Sequence, residues 1–247
     1  MNFVKRLLNK PIMLDLYTDR AELITYSPIV KAAKVFPDWW KALPKTTRIP
    51  FELGQKSTMK KCTGFTDLYQ KGIILPMWTD LEVEVDALGG DGARWQHADE
   101  QSGIVPHPQF QRGEYLHNDS YQHLKLVSPW YANCVEDVQW ICVQPMWNFD
   151  APDRIIVPPG VVDYKFQHGT HVNLFIPRTD EKEIVFIPQG QPLLQIIPLS
   201  ERPVEFRFHL VSSEKLRGIQ NGKLWFVDMM RNQKKILTRC PFEEKNT

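Results

Sequence analysis

Nineteen prolines are spread through the 247 residues. Each removes a backbone donor and crowds the preceding turn, so long helices have little room and short strands joined by turns are favoured. The second half fits this best. HLKLVSPWYA, VQWICVQPM, DRIIVPPGVVDYKF, THVNLFIPR, EIVFIPQGQPLLQIIPL and VEFRFHLV are rich in β-branched and aromatic residues, with Pro, Gly and Asp between them. Many strands with few intervening helices predict a mainly β fold, either a sandwich or a jelly-roll-like barrel.

Around that body the pattern is mixed. IMLDLYT reads as an edge strand in an N-terminal arm (residues 1–57) that also carries a short helical turn at Trp39 and Trp40. Residues 58–247 are expected to hold the β-rich main domain around one core. Within it, CTGFTDLYQKG predicts a short helix stopped at Gly72. LEVEVDAL alternates as a half-buried strand should. The polar stretch that follows, to about Gly113, reads as a long surface loop. SSEKLRGIQNGKLWFVDMMRNQKKILT predicts a C-terminal helix capped by Ser212 or Ser213.

Bulk properties exclude several classes of function. Lys and Arg number 30 against 29 for Asp and Glu, and basic runs are no longer than Lys60-Lys61 or Lys234-Lys235. A nucleic-acid binder generally carries a basic excess or stripe, so nucleic acid is not expected as a partner. Cys62, Cys134, Cys142 and Cys240 include no C-x-x-C pair, which predicts reduced, mostly buried thiols in a cytosol-like compartment. The N-terminus has no continuous apolar stretch of signal-peptide type, and no segment is long enough to cross a bilayer as a helix.

PDWWKALP, TMKKCTGFTDLYQKGIILPMWTDLEVEV, LVSPWY and IPQGQPLLQIIPLSERPVE together span most of the chain from Pro37 to about Glu205. In these segments the chain resembles an uncharacterised, DUF6065-like family of bacteria and tailed phages, including marine T4-like phages. The resemblance brings no established activity. It implies a phage origin and a virion- or infection-related role, in the virion or the host cytoplasm. A smaller match, VPPGVVDYKF before FIPQGQPLLQIIPL, is similar to a strand pair of the dUTPase-like β-clip fold, with Asp163 at the acidic position. The Ser-Gly phosphate turn of that fold is absent, so the match reads as shared turn grammar. A small-ligand module would require a pocket near Asp163.

Two functional readings compete. The first is a phage-associated structural or accessory protein acting through protein–protein contacts, without cofactor. Virion components or copies of itself would be its partners. Trp39, Trp40 and Trp95 stand in loop-like surroundings and are its candidate anchors, since aromatic side chains dominate interface energetics. Trp130, Trp140 and Trp147 read as core. The alternative is a jelly-roll, Fe(II)/2-oxoacid-type oxygenase. Its metal would be held by the H-x-D pair His117 and Asp119 with His209, and Arg217 would pair with the co-substrate carboxylate. His168 and His171 form an H-x-x-H whose spacing puts the two rings on opposite strand faces, and a turn is the better reading there.

Overall fold

Alternating burial along IMLDLYT is realised as strand β1 (Ile12–Thr18), in which Ile12, Leu14, Leu16 and Thr18 are buried and Met13, Asp15 and Tyr17 share the opposite face. The computed structural model describes residues 10–48, 54–90, 92–97, 103–106, 120–148 and 154–221. β1 is a central strand and not the expected edge. It runs antiparallel to β9 (Tyr121–Asn133) and parallel to β15 (Val204–Leu210), with Ile12 opposite Val204 and Thr18 opposite Leu210. From the segment before residue 58, β1 thus joins the first sheet and the two-residue strand Val30–Lys31 the second.

Two five-stranded sheets carry the architecture. In the first, β12 (Gly169–Pro177), β9, β1 and β15 are neighbours, and β8 (Gly103–Pro106) adds to β9. The second runs β11 (Gly160–Val162), β10 (Trp140–Val143), β14 (Pro192–Pro198), β5 (Ile73–Pro76) and β2 (Val30–Lys31). A three-stranded sheet places β6 (Leu81–Val85) between β13 (Glu183–Ile187) and β7 (Ala93–His97), and β3 (Thr46–Thr47) pairs with β4 (Lys56–Ser57). The fold is mainly β, of the expected sandwich or jelly-roll class, and among the described residues no sheet closes into a barrel.

One continuous apolar cluster joins the sheets. Leu14, Leu126 and Trp130 come from the first, Leu75, Trp140 and Ile196 from the second, and Val83 and Val185 from the third. Burying a side chain of this size contributes about 1.5–3 kcal/mol, so this shared cluster is the main force holding the sheets together. Where the sequence suggested one strand in DRIIVPPGVVDYKF, Pro158 and Pro159 split it. What forms is an isolated bridge from Ile156 to Phe175, followed by the short β11. The loop expected after β6 contains β7 and β8.

Helices decorate the sheets. α1 (Ala21–Tyr26) follows β1, and α2 (Asp38–Ala42) is the expected Trp39–Trp40 turn. α3 (Thr63–Gln70) ends before Gly72, which has φ +75°. From β14, Gln195 Nε2 donates to the carbonyls of Leu68 (2.8 Å) and Lys71 (3.1 Å), satisfying the helix end and fastening α3 to the second sheet. α4 (Ser213–Asn221) begins as expected, with the Lys215 amide donating to Ser212 Oγ at 3.3 Å.

Candidate functional site

The outer side of the second sheet, beside α3, carries an aromatic cluster. Phe65 and Tyr69 of α3 are buried, because their spacing of four puts them on one helix face. Phe36 lies 4.9 Å from the Tyr69 ring and 4.5 Å from that of Trp40, and Trp147 packs edge-on to Phe65 at 5.5 Å. Two of the three indole donors, those of Trp39 and Trp40, are spent inside the cluster. Trp39 Nε1 donates to the Trp147 carbonyl at 3.0 Å, and Trp40 Nε1 to the Met59 carbonyl at 3.2 Å. Lys60 Nζ sits 3.9 Å above the Trp40 ring. Below, Asn148 ties the layers together: its Nδ2 donates to the Val35 carbonyl at 2.9 Å and its carbonyl accepts from Gln191 Nε2 at 2.9 Å. On this fixed base Trp39 and Trp147 remain 42% and 46% exposed, flanked by Met59 and Met146.

Of the three expected anchors, Trp39 is displayed and Trp40 is half-buried beneath Lys60. Trp95 is in β7 rather than in a loop, opposite Val83, with its ring packed on the core. Trp147, read from sequence as core, belongs to this cluster, whereas Trp130 and Trp140 are fully buried as expected. The sequence offered no mark for Trp147, because aromatic character alone does not distinguish an interior residue from a displayed one.

A polar cluster occupies the outer face of the first sheet. Parallel pairing brings β1 and β15 together, so Arg207 Nε and Nη2 donate to the two Asp15 oxygens at 2.9 and 3.1 Å. His209 Nε2 lies 2.8 Å from Asp15 Oδ1, and its ring stacks on Tyr17 at 4.7 Å. Burial acts to raise the Asp15 pKa, but hydrogen bonds from His209 and Arg207 outweigh it and hold the carboxyl below its ordinary value. A group with a depressed folded pKa stabilises the fold above the ordinary carboxylate range, and that contribution is lost as pH falls through the folded value. Asp15→Asn is therefore expected to cost about 1 kcal/mol at neutral pH, because much of Arg207 is solvent-screened. The difference from wild type should shrink below about pH 4. Urea titrations across that range check this, and a pH-independent difference would rule out the charged pair as the cause.

His209, the expected third iron ligand, thus has its Nε2 directed at Asp15. His117 and Asp119 lie outside the described residues. Arg217 is exposed on α4, with Nε donating to the Ser213 carbonyl at 3.4 Å. Among the described residues no group of three metal-ligating side chains converges. His168 is buried, with Nδ1 2.7 Å from the Ala132 carbonyl. His171 points elsewhere, across the bulge at the start of β12. The thiols of Cys62, Cys134 and Cys142 are free, with Cys134 buried, Cys142 half-buried and Cys62 exposed, and Cys240 lies outside the described residues.

An open-sided cavity of about 340 Å³ lies between β12 and the β10–β11 edge. Lys125, His171 and Asn173 line its polar side, and Pro158, Pro159 and Leu194 its apolar side. Cys142 contributes to the wall, its thiol pushed up to about 12 by burial. Asp163 is not part of the lining. Its Oδ1 accepts from the Lys165 amide at 3.0 Å, which is turn work.

Among the described residues, then, the chain is a β sandwich with a displayed aromatic face and a separate small cavity, and no helix is long and apolar enough to cross a membrane. No protein-family model matches it, and a search of curated proteins finds no relative.

Proposed function

We propose that this chain is a non-enzymatic accessory or structural protein that works by protein–protein contact, its partner docking on the Trp39–Trp147 face. The observation that carries the reading is the fixed exposure of those rings. The Trp39 indole donor is already spent on the Trp147 backbone carbonyl, which ties the two displayed residues together, so the Trp39 ring presents its apolar face without needing to reorganise. Tryptophan is enriched among interface hot spots, and flanking methionines adapt to a partner's contours. Lys60, anchored to the carbonyls of Trp40 and Lys41 at 2.9 and 3.0 Å, adds a positive rim. The family resemblance supports a phage setting, with a virion component or a second copy of the chain as partner, in the virion or the host cytoplasm.

Sedimentation velocity and chemical cross-linking of the wild type and of a Trp39→Ala, Trp147→Ala variant test this. The wild type is expected to form a defined complex, with itself or with a virion protein. The variant should keep its circular dichroism and lose the complex, at about 2 kcal/mol or more per tryptophan, roughly thirtyfold in affinity each. An unchanged complex in the variant, or a wild type that stays monomeric and partnerless, would rule the reading out.

A further inference from the structure

The cavity beside β12 has a chemistry independent of the aromatic face. Lys125, on β9, is half-buried at its wall, and among the described residues its ammonium makes no ion pair or hydrogen bond. Among the described residues, no aspartate or glutamate lines the cavity. A cation held beside low-dielectric walls without a counter-charge is an unfilled electrostatic demand. Across the ladder, Asn173 pairs with Lys125. Its Oδ1 lies 3.2 Å from His123 Nε2, and only an N–H of the imidazole can complete that bond. The Asn173 amide nitrogen is left as a donor with no partner among the described residues.

His171 completes the polar side. Its ring lies back over Gly169, so close that a Cβ there would stand 2.8 Å from Nε2. Glycine at this position is what lets the imidazole rest against the strand, at the register shift where β12 leaves regular pairing with β9. Desolvation by the surrounding protein, followed by the Lys125 charge, pushes His171 down to about 4. The His171 side chain is exposed at the mouth of the cavity, so a bound group can reach it from solvent. The opposite wall is rigid and apolar, made by Pro158 and Pro159 where the chain crosses between sheets, with Val172 and Leu194 behind.

We infer that this cavity binds a small organic anion, its carboxylate or phosphate head held by Lys125, His171 and Asn173 and its compact apolar body seated against Pro158, Pro159 and Leu194. The volume is at the small end of ligand sites, which span about 300–1,000 Å³, and suits one ring with a charged substituent. An open side admits the ligand without a lid. The cavity and the aromatic face use different residues, so the two proposals stand or fall separately.

Calorimetric titration with benzoate, phenyl phosphate, inorganic phosphate and benzamide tests the inference. Benzoate and phenyl phosphate distinguish the two head groups, inorganic phosphate supplies a head without a body, and benzamide a body without charge. At least one of the two aromatic anions is expected to bind with a Kd of about 1 mM or tighter, at least about tenfold more tightly than benzamide. Lys125→Met is expected to weaken that binding about tenfold or more while leaving the melting temperature near that of the wild type. Gly169→Ala, which displaces the His171 ring, should weaken it as well. Equal affinity for benzoate and benzamide, equal affinity in Lys125→Met, or no binding by either aromatic anion would overturn the inference. Inorganic phosphate binding as tightly as phenyl phosphate would also overturn it, by showing that no body site exists.

Discussion

Gly72→Ala is expected to destabilise the protein by about 4 kcal/mol or more, enough to leave much of it unfolded if its stability is ordinary. Two costs combine at this position. The backbone lies at φ +75°, where an L side chain costs about 1–2 kcal/mol. A Cβ there would also come within 2.1 Å of the Ile196 carbonyl oxygen and 2.9 Å of its carbon, and these are β14 backbone atoms with no freedom to swing away. Gly190 separates the two costs, with φ +85° and nothing within 4 Å of the added carbon. Gly190→Ala should therefore lose only the conformational part, about 1 kcal/mol. Urea midpoints for the two variants decide the matter. Similar losses would mean that β14 yields at Gly72, so that close approach to the second sheet is not what this glycine provides.

Gly72 also shows what the sequence made legible. A glycine after an eight-residue helical pattern predicts a helix stop, and α3 does end there. The sequence did not reveal that the same residue is the point where α3's exit loop presses on β14, more than a hundred residues away. Local periodicity likewise exposed β6 and β12, whose alternation or β-branched content reports one buried face. It misplaced β1 as an edge, because strand order depends on pairing partners, and β15 lies at the other end of the chain. The same limit hid the polar cluster and the cavity. Asp15 meets Arg207 and His209 across more than 190 residues, and Lys125 meets His171 only through β9–β12 pairing. Nothing in HLKLVSPWYA or QHGTHV marks the contact between Lys125 and His171. Trp39 and Trp40 were visible as a pair in a proline-flanked turn. The difference between them, one ring displayed and the other capped by Lys60, is set by the Met59–Lys61 turn, which supplies both Lys60 and the Met59 carbonyl.

Trp140→Ala is the second substitution expected to have a large effect, about 3–5 kcal/mol, against about 1–2 kcal/mol for Trp140→Phe. Trp140 is fully buried on β10, between Val162 of β11 and Pro198 of β14, and meets the Tyr164 ring at 5.8 Å in an edge-on contact. Alanine removes the ring and leaves a void in a region where few side chains can collapse, since β10 is paired on both sides. Phenylalanine keeps most of the ring, and the indole Nε1 that it deletes has no acceptor among the described residues, so no hydrogen bond is lost there. The same strand supplies Cys142 to the cavity wall and aligns Gly160 opposite it, so loosening Trp140 should also loosen the wall that faces Lys125. Denaturation measures the two stabilities, and hydrogen exchange along β10 and β11 reports the local effect. Trp140→Phe should protect those amides nearly as well as wild type, and Trp140→Ala should not. Equal losses for the two variants would show that the ring volume a phenylalanine keeps contributes nothing at this position.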